Sequence, residues 1–94
     1  MDEFDTGDAV TLSVTWFNLA GAAVAATTVL RVRSPSGVLT AYTGGQLSNP
    51  ATGRYQVTLP AATEAGQWFY RWEASGALIA AEESSYYVRP SRVL

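Results

Sequence analysis

Carboxylates are the side chains of this 94-residue chain best suited to chemistry, because it contains neither histidine nor cysteine. The commonest general base, the usual zinc ligands and any thiolate nucleophile are therefore absent from the sequence. Glu73, Glu82 and Glu83 lie on neighbouring predicted strands and could flank a glycosidic bond. The nearby Arg71 and Arg89 favour a different interpretation, a solvated face with cross-strand ion pairs. We expect no catalytic site, no metal site and no cofactor.

The first eight residues are acidic and contain one large apolar side chain, Phe4. The spacing of their four carboxylates does not match a calcium-binding loop, so a solvated arm is favoured over a metal site. We expect residues 1–8 to form an arm without a strand and residues 90–94 to form a tail. Both segments are the ones expected to become ordered on a partner. The domain itself is predicted to span residues 9–89.

The bulk composition restricts the classes of partner. Six arginines, no lysine and a net charge of −2 argue against a nucleic-acid footprint. No apolar stretch approaches a membrane-spanning length, and the acidic start differs from a signal peptide, so synthesis and retention in a cytoplasm are expected. A single small domain without disulfides has a modest core, so we expect additional stabilisation from oligomerisation or from a partner.

Alternating apolar residues predict six strands with short turns between them and no helix. The predicted strands are residues 9–17, 27–33, 38–43, 53–59, 64–73 and 77–89, with residues 44–51 as a loop. The central one is residues 64–73, where Trp68, Tyr70 and Trp72 share one face and Phe69 and Arg71 share the other. So much aromatic area on one face of a strand requires a second sheet to cover it.

In the last predicted strand, the apolar residues expected to point inward do not all fall on the same alternate positions. Ile79 has one parity, while Tyr86 and Val88 have the other, and all three are expected to point inward. One extra residue near residues 82–85 would resolve the conflict, so the pattern predicts a β-bulge there and favours an edge position for this strand.

Residues 59–70 resemble the crossing between sheets in immunoglobulin-type domains, where an acidic residue, a small residue and glycine precede an aromatic. Trp68 occupies the position of the corner tyrosine of those domains, and Tyr70 the position of their cysteine. The fold class expected is therefore all-β, an immunoglobulin-like β-sandwich of six to seven antiparallel strands.

The outward aromatic and arginine residues predict a contact surface. Trp68, Tyr70 and Trp72 could form a sugar-stacking platform if the central strand faced outward, but a core role is favoured. Aromatic residues and arginine are enriched at interfaces, although a plain solvated face would fit the arginines equally well. The residues expected to bind a partner are Phe4, Arg31, Arg33, Phe69, Arg71 and Tyr87.

Five segments together support a family resemblance over nearly the full length. They are Thr6-Gly7-Asp8-Ala9-Val10-Thr11-Leu12, Leu30-Arg31-Val32-Arg33-Ser34-Pro35-Ser36-Gly37, Thr52-Gly53-Arg54-Tyr55-Gln56-Val57, residues 66–73 and residues 80–91. With these segments the chain resembles the small immunoglobulin-like proteins encoded among the head and tail genes of tailed bacteriophages.

The resemblance implies a non-enzymatic virion structural protein that is assembled in the host cytoplasm. The placement it favours is a capsid decoration protein on the outside of the shell, bound to the major capsid protein or other virion proteins. A homo-oligomer on the particle is expected, with no nucleic acid and no membrane as partner. The alternatives are a head–tail or tail accessory protein, or a carbohydrate-binding module that contacts the host surface.

Overall fold

A computed structural model describes residues 2–61, 64–76 and 78–91, and in that part of the chain the fold is built from strands. The strands are β1 Asp2–Asp5, β2 Thr11–Thr15, β3 Thr27–Arg33, β4 Leu39–Thr43, β5 Ser48–Ala51, β6 Arg54–Thr58, β7 Gly66–Ser75 and β8 Ala80–Arg89, and Gly44–Gln46 forms a short 3-10 helix. The all-β prediction is confirmed. Nowhere in the described ranges is there a helix with the length and apolarity that a membrane crossing requires.

The strands form two sheets that share one hydrophobic core. One sheet has the order β1-β8-β7-β3-β4, and the other has the order β2-β6-β5. β7 pairs with β3 so that Trp72 lies opposite Leu30, and both side chains are fully buried. The buried apolar residues are Val10, Leu12, Val14, Trp16, Leu30, Val32, Leu59, Trp72, Ala74, Tyr86 and Val88. The apolar residues that alternate along β2 and β3 therefore point into this core.

The core tryptophans differ in how their indole nitrogens are satisfied. Trp16 Nε1 donates to Thr28 Oγ1 at 3.1 Å, and that hydroxyl in turn donates to the backbone oxygen of Ala26. Trp72 Nε1 is buried without a hydrogen-bond partner among the described residues. A buried donor without a partner costs about 1–3 kcal/mol, which burial of the large ring must offset.

The prediction that residues 1–8 contain no strand is wrong, because Asp2–Asp5 forms β1. β1 pairs in parallel with β8, from Asp2 opposite Tyr86 to Asp5 opposite Arg89. The Arg89 guanidinium lies 2.9 Å from an Asp5 carboxylate oxygen and 3.8 Å from one of Glu3. The first sheet is therefore mixed, and the expectation of purely antiparallel strands is wrong. Of the predicted tail, Pro90 and Ser91 lie outside any strand, and residues 92–94 lie outside the described ranges.

The predicted β-bulge in the last strand is absent from β8. Its pairing with β7 is unbroken from Gly66 opposite Val88 to Ala74 opposite Ala80. The parity conflict does not arise, because Ile79 precedes the strand and is 87% exposed. β1 pairs only with the second half of β8, so the predicted edge position holds for residues 80–85 and not for the rest.

The predicted loop at residues 44–51 also contains regular structure. β5 pairs with β6, and the register shifts between Ser48 and Ala51. Pro50 is tolerated because β5 lies at the edge of its sheet, where a strand residue needs no donor on the outer side. All four β5 residues are exposed, so no burial pattern reveals this strand in the sequence.

A hydrogen bond from Trp68 stabilises the start of β7. Its indole nitrogen donates to the backbone oxygen of Glu64 at 3.0 Å. In immunoglobulin domains the corner tyrosine hydroxyl makes a similar bond to backbone a few residues upstream. In this chain the indole restrains the segment between Glu64 and Trp68.

The backbone between β5 and β6 requires a glycine at position 53. Its φ is +75°, and a Cβ at this position would lie 2.7 Å from the Val24 backbone oxygen and 3.0 Å from that of Trp16. Gly37, in the β3–β4 turn, has a similar positive φ of +94° but open space around it. Substitutions at these two glycines therefore distinguish the cost of backbone strain from the cost of steric overlap.

We expect Gly37→Ala to lower the free energy of unfolding by about 1 kcal/mol, the cost of a left-handed alanine. Gly53→Ala should lower it by about 3 kcal/mol, because overlap with backbone atoms adds to the same strain. Urea unfolding followed by tryptophan fluorescence measures both values. Equal losses for the two variants would contradict the close approach at Gly53.

Candidate interaction face

The outward-pointing residues of β8, β7, β3 and β4 form one surface, called here the outer face. Antiparallel pairing places Phe69 opposite both Arg33 and Ser85, and Arg33 opposite Leu39. The adjacent row runs from Glu83 through Arg71 and Arg31 to Ala41. A shallow groove of about 460 Å³ follows these rows. Its lining residues are Arg31, Arg33, Leu39, Phe69, Tyr70, Arg71 and Glu83.

Five of the six predicted partner-binding residues lie on the outer face: Arg31, Arg33, Phe69, Arg71 and Tyr87. Phe4 does not, because its pairing with Val88 directs it to the inner side of the sheet. There its ring meets that of Tyr86 edge to face, with centroids 5.6 Å apart, and it is half-buried against the core. No local signal reveals this, since it depends on pairing with a strand at the far end of the chain.

Two of the outer-face arginines are held by glutamates. Arg31 forms an ion pair with Glu73, and Arg71 lies 3.3 Å from Glu73 and 3.1 Å from Glu83. Each pair is exposed and contributes at most about 1 kcal/mol, but together they fix the guanidinium groups. The predicted cross-strand ion pairing is confirmed for Arg71 with Glu83. Arg31 with Glu73 is a second cross-strand pair, whereas Arg71 and Glu73 lie on the same strand.

The rest of that predicted ion-pair set is wrong. Glu82 has the inward parity of Trp72, its partner across the strands, and it reaches water only because β8 is a free edge there. Arg89 pairs with Glu3 and Asp5 of β1. Of the three glutamates, Glu73 and Glu83 therefore meet at the guanidinium of Arg71, and Glu82 lies apart from them.

Arg33 differs from the other arginines of the outer face. It has no ion pair or hydrogen bond from its side chain among the described residues, although it stands beside two exposed apolar residues. Phe69 is 48% exposed and Leu39 is 56% exposed. A free guanidinium next to exposed apolar groups offers both a charge and an apolar area to a partner.

Trp68, Tyr70 and Trp72 do not form the exposed sugar-stacking platform that was the alternative to a core role in the sequence analysis. Trp72 is 1% exposed, and Tyr70 is half-buried. Trp68 is also half-buried and stacks on Tyr86, with ring centroids 5.9 Å apart and planes only 7° from parallel. The prediction that the central strand directs these rings to the core is confirmed.

A second, smaller cavity of about 200 Å³ opens between the sheets, beside Tyr86, Tyr42 and Trp68. Burial raises the pKa of Tyr86 to about 12, and repulsion from the phenolates of Tyr42 and Tyr70 acts in the same direction. The cavity lining is apolar apart from hydroxyl groups, so it offers no charged group to a ligand. Within the described ranges, no three acidic residues are grouped so that they could hold a metal ion.

No protein-family model matches the chain, and neither does any curated protein sequence. The interpretation of the outer face as a binding surface therefore rests on the chemistry of its residues.

We expect the Tyr86 hydroxyl to make folding sensitive to alkaline pH. The folded-state pKa lies above the ordinary value of 10.0, so this stability is fully present below about pH 10 and is lost as the pH rises towards 12. Wild type should lose about 2 kcal/mol more than Tyr86→Phe between about pH 9 and about pH 11.5. Urea unfolding at the two pH values measures the difference, and parallel losses would contradict the burial of the ionising hydroxyl.

Proposed function

We propose that this chain is a non-enzymatic structural protein of a tailed bacteriophage particle with an immunoglobulin-like β-sandwich fold. In this proposal it is a capsid decoration protein, bound to the outside of the shell through its outer face. The family resemblance of the sequence supports the phage origin. The observation that carries the binding role is the exposed Phe69 beside the free guanidinium of Arg33 in the outer-face groove.

The physical properties of the outer face suit a protein partner. An exposed phenylalanine loses water on docking and loses little side-chain entropy, because the strand already fixes its direction. The ion pairs of Arg31 and Arg71 with Glu73 and Glu83 are already formed, so these side chains are ordered before a partner arrives. Preorganised groups bind with a smaller entropic cost.

The free charge of Arg33 defines the chemistry of the partner surface. It would be satisfied by a carboxylate of the major capsid protein, placed next to an apolar side chain that covers Phe69 and Leu39. One such contact per copy is small, but contacts repeated over a closed shell hold neighbouring capsid subunits together. The function would be mechanical, a restraint on the shell against the pressure of the packaged genome.

Phe69→Ala and Arg33→Ala should each weaken binding to purified capsids at least about tenfold, the loss typical of a residue at the centre of an interface. Arg54→Ala is the matched control, because Arg54 begins β6 of the other sheet and also has no side-chain partner among the described residues. Co-sedimentation of the purified protein with capsids of the phage that encodes it measures the affinities.

Two outcomes of this experiment would contradict the proposal. Wild-type protein that fails to sediment with capsids excludes decoration, and equal losses for Arg54→Ala and Arg33→Ala exclude the outer face as the site. Labelling density on intact particles then separates the placements, because a decoration protein covers the shell and a head–tail or tail accessory protein occupies few positions.

A carbohydrate-binding role is the second candidate, and the placement of two aromatic rings supports it. Tyr87 lies opposite Gln67, two positions along β7 from Phe69, so the two rings are diagonal neighbours on the outer face. Exposed aromatic rings on a flat sheet can stack against sugar rings. Tyr87 is half-buried, which reduces the area it offers.

A glycan screen tests this second candidate directly. If the face binds host sugars, wild type should bind at least one glycan, and Phe69→Ala and Tyr87→Ala should both lose that binding because each removes half of the platform. Wild-type binding that survives both substitutions, or no binding at all, contradicts a sugar platform on the outer face.

A further inference from the structure

One end of the molecule contains no charged residue apart from Arg54 at its border. The sequence from Ala9 to Leu30 contains none, and neither does the sequence from Ala74 to Ala81. The opposite end contains Asp5, Asp8, Glu64 and Arg89. The charges of the chain are thus distributed unevenly along its length.

Strand pairing and loop contacts bring the uncharged segments to the same end. Thr27 begins β3 opposite Ser75 near the end of β7, so the β2–β3 connection and the β7–β8 turn are neighbours. The backbone nitrogen of Trp16 donates to the oxygen of Gly53, and that of Val24 donates to the oxygen of Trp16. The uncharged end therefore consists of residues 16–26, 52–53, 74–76 and 78–79.

The uncharged end exposes large apolar side chains. In the described part of the chain, six large hydrophobic residues are exposed, and they form two groups. Val38, Leu39 and Phe69 belong to the β3–β4 hairpin and the outer face. The other three are at the uncharged end: Phe17, 56% exposed; Leu19, 110% exposed; and Ile79, 87% exposed. A grouping of this kind marks an interaction site more often than scattered apolar residues do.

We propose that the uncharged end is a self-association surface, on which a second copy of this chain docks end to end about a two-fold axis. In such a contact both copies bury the same surface, so any charge within it is desolvated on both copies, and like charges near the two-fold axis repel each other. The uncharged end avoids that repulsion, whereas the outer face and the opposite end do not. It also combines large exposed apolar side chains with exposed alanines at positions 20, 22, 23 and 25.

The dimensions of the molecule determine how strong this contact can be. The molecule measures 49 × 24 × 23 Å, and β7 and β8 are ten-residue strands, so the long axis follows the strands. An end of 24 × 23 Å offers roughly 550 Å² per copy, or roughly 1,100 Å² in a pair. That area lies just below the range of stable dimers, so we infer a weak dimer that forms at high local concentration. The outer faces of both copies stay uncovered, so the pairing does not depend on the proposed function of that face.

Sedimentation equilibrium tests the self-association. The average mass of wild type should rise from that of a monomer towards that of a dimer between about 10 µM and about 1 mM, with little change between about 50 mM and about 500 mM salt. Leu19→Asp and Ile79→Asp should each remain monomeric, because each substitution would bury an unpaired carboxylate in the apolar contact. Val38→Asp is the control, because Val38 is 62% exposed at the other end, and this variant should associate like wild type.

Chemical shifts of the wild-type protein provide a measurement that needs no folded variant. Among the described residues, concentration-dependent amide shifts should be confined to 17–25, 76, 78 and 79. Wild type that stays monomeric at about 1 mM overturns the proposal. So do shifts that centre on the outer face, loss of association in Val38→Asp, or undiminished association in folded Leu19→Asp.

Discussion

The burial of Trp72 against Leu30 determines which side of the large sheet remains available to other molecules. Once this indole lies between the sheets, the period of two along β7 directs Phe69 and Arg71 to the outside. The ring is buried although its indole nitrogen has no partner among the described residues, so burial of its apolar area outweighs the cost of the unsatisfied donor. The core and the outer face are thus two consequences of one strand orientation.

The charge distribution suits the two exposed apolar groups to the different partners proposed for them. On the outer face, Arg33 stands next to Phe69, so a partner needs an acidic group beside an apolar one. At the uncharged end, Leu19 and Ile79 lie among small neutral residues, and the partner proposed for them is a copy of the same surface. One small domain can therefore present a charged docking face along its length and a neutral one at its tip.

Local alternation in the sequence predicted much of the fold, and the remainder depended on distant pairing. The apolar positions of β2 and β3, and the inward tryptophan row of β7, follow a period of two that burial enforces. β1 has no such pattern, because what holds it is the edge of β8 and the charge of Arg89, more than eighty residues away. The false bulge came from the assumption that Ile79 is buried, whereas exposed apolar residues are common on protein surfaces. The arginines of the outer face were predicted, but which of them remain unpaired required the register.

The parallel pairing of β1 with β8 has a mechanical consequence. A pull that enters the described chain at Asp2 and leaves at Arg89 draws the two strands in opposite directions along their common axis. The hydrogen bonds between β1 and β8 are then loaded in shear, so they must break together and cannot break one after another. The Thr6 hydroxyl, 2.7 Å from the backbone oxygen of Arg89, and the Arg89–Asp5 ion pair reinforce the same junction. Tension along the chain therefore acts on the β1–β8 pairing in the direction in which this pairing resists most strongly.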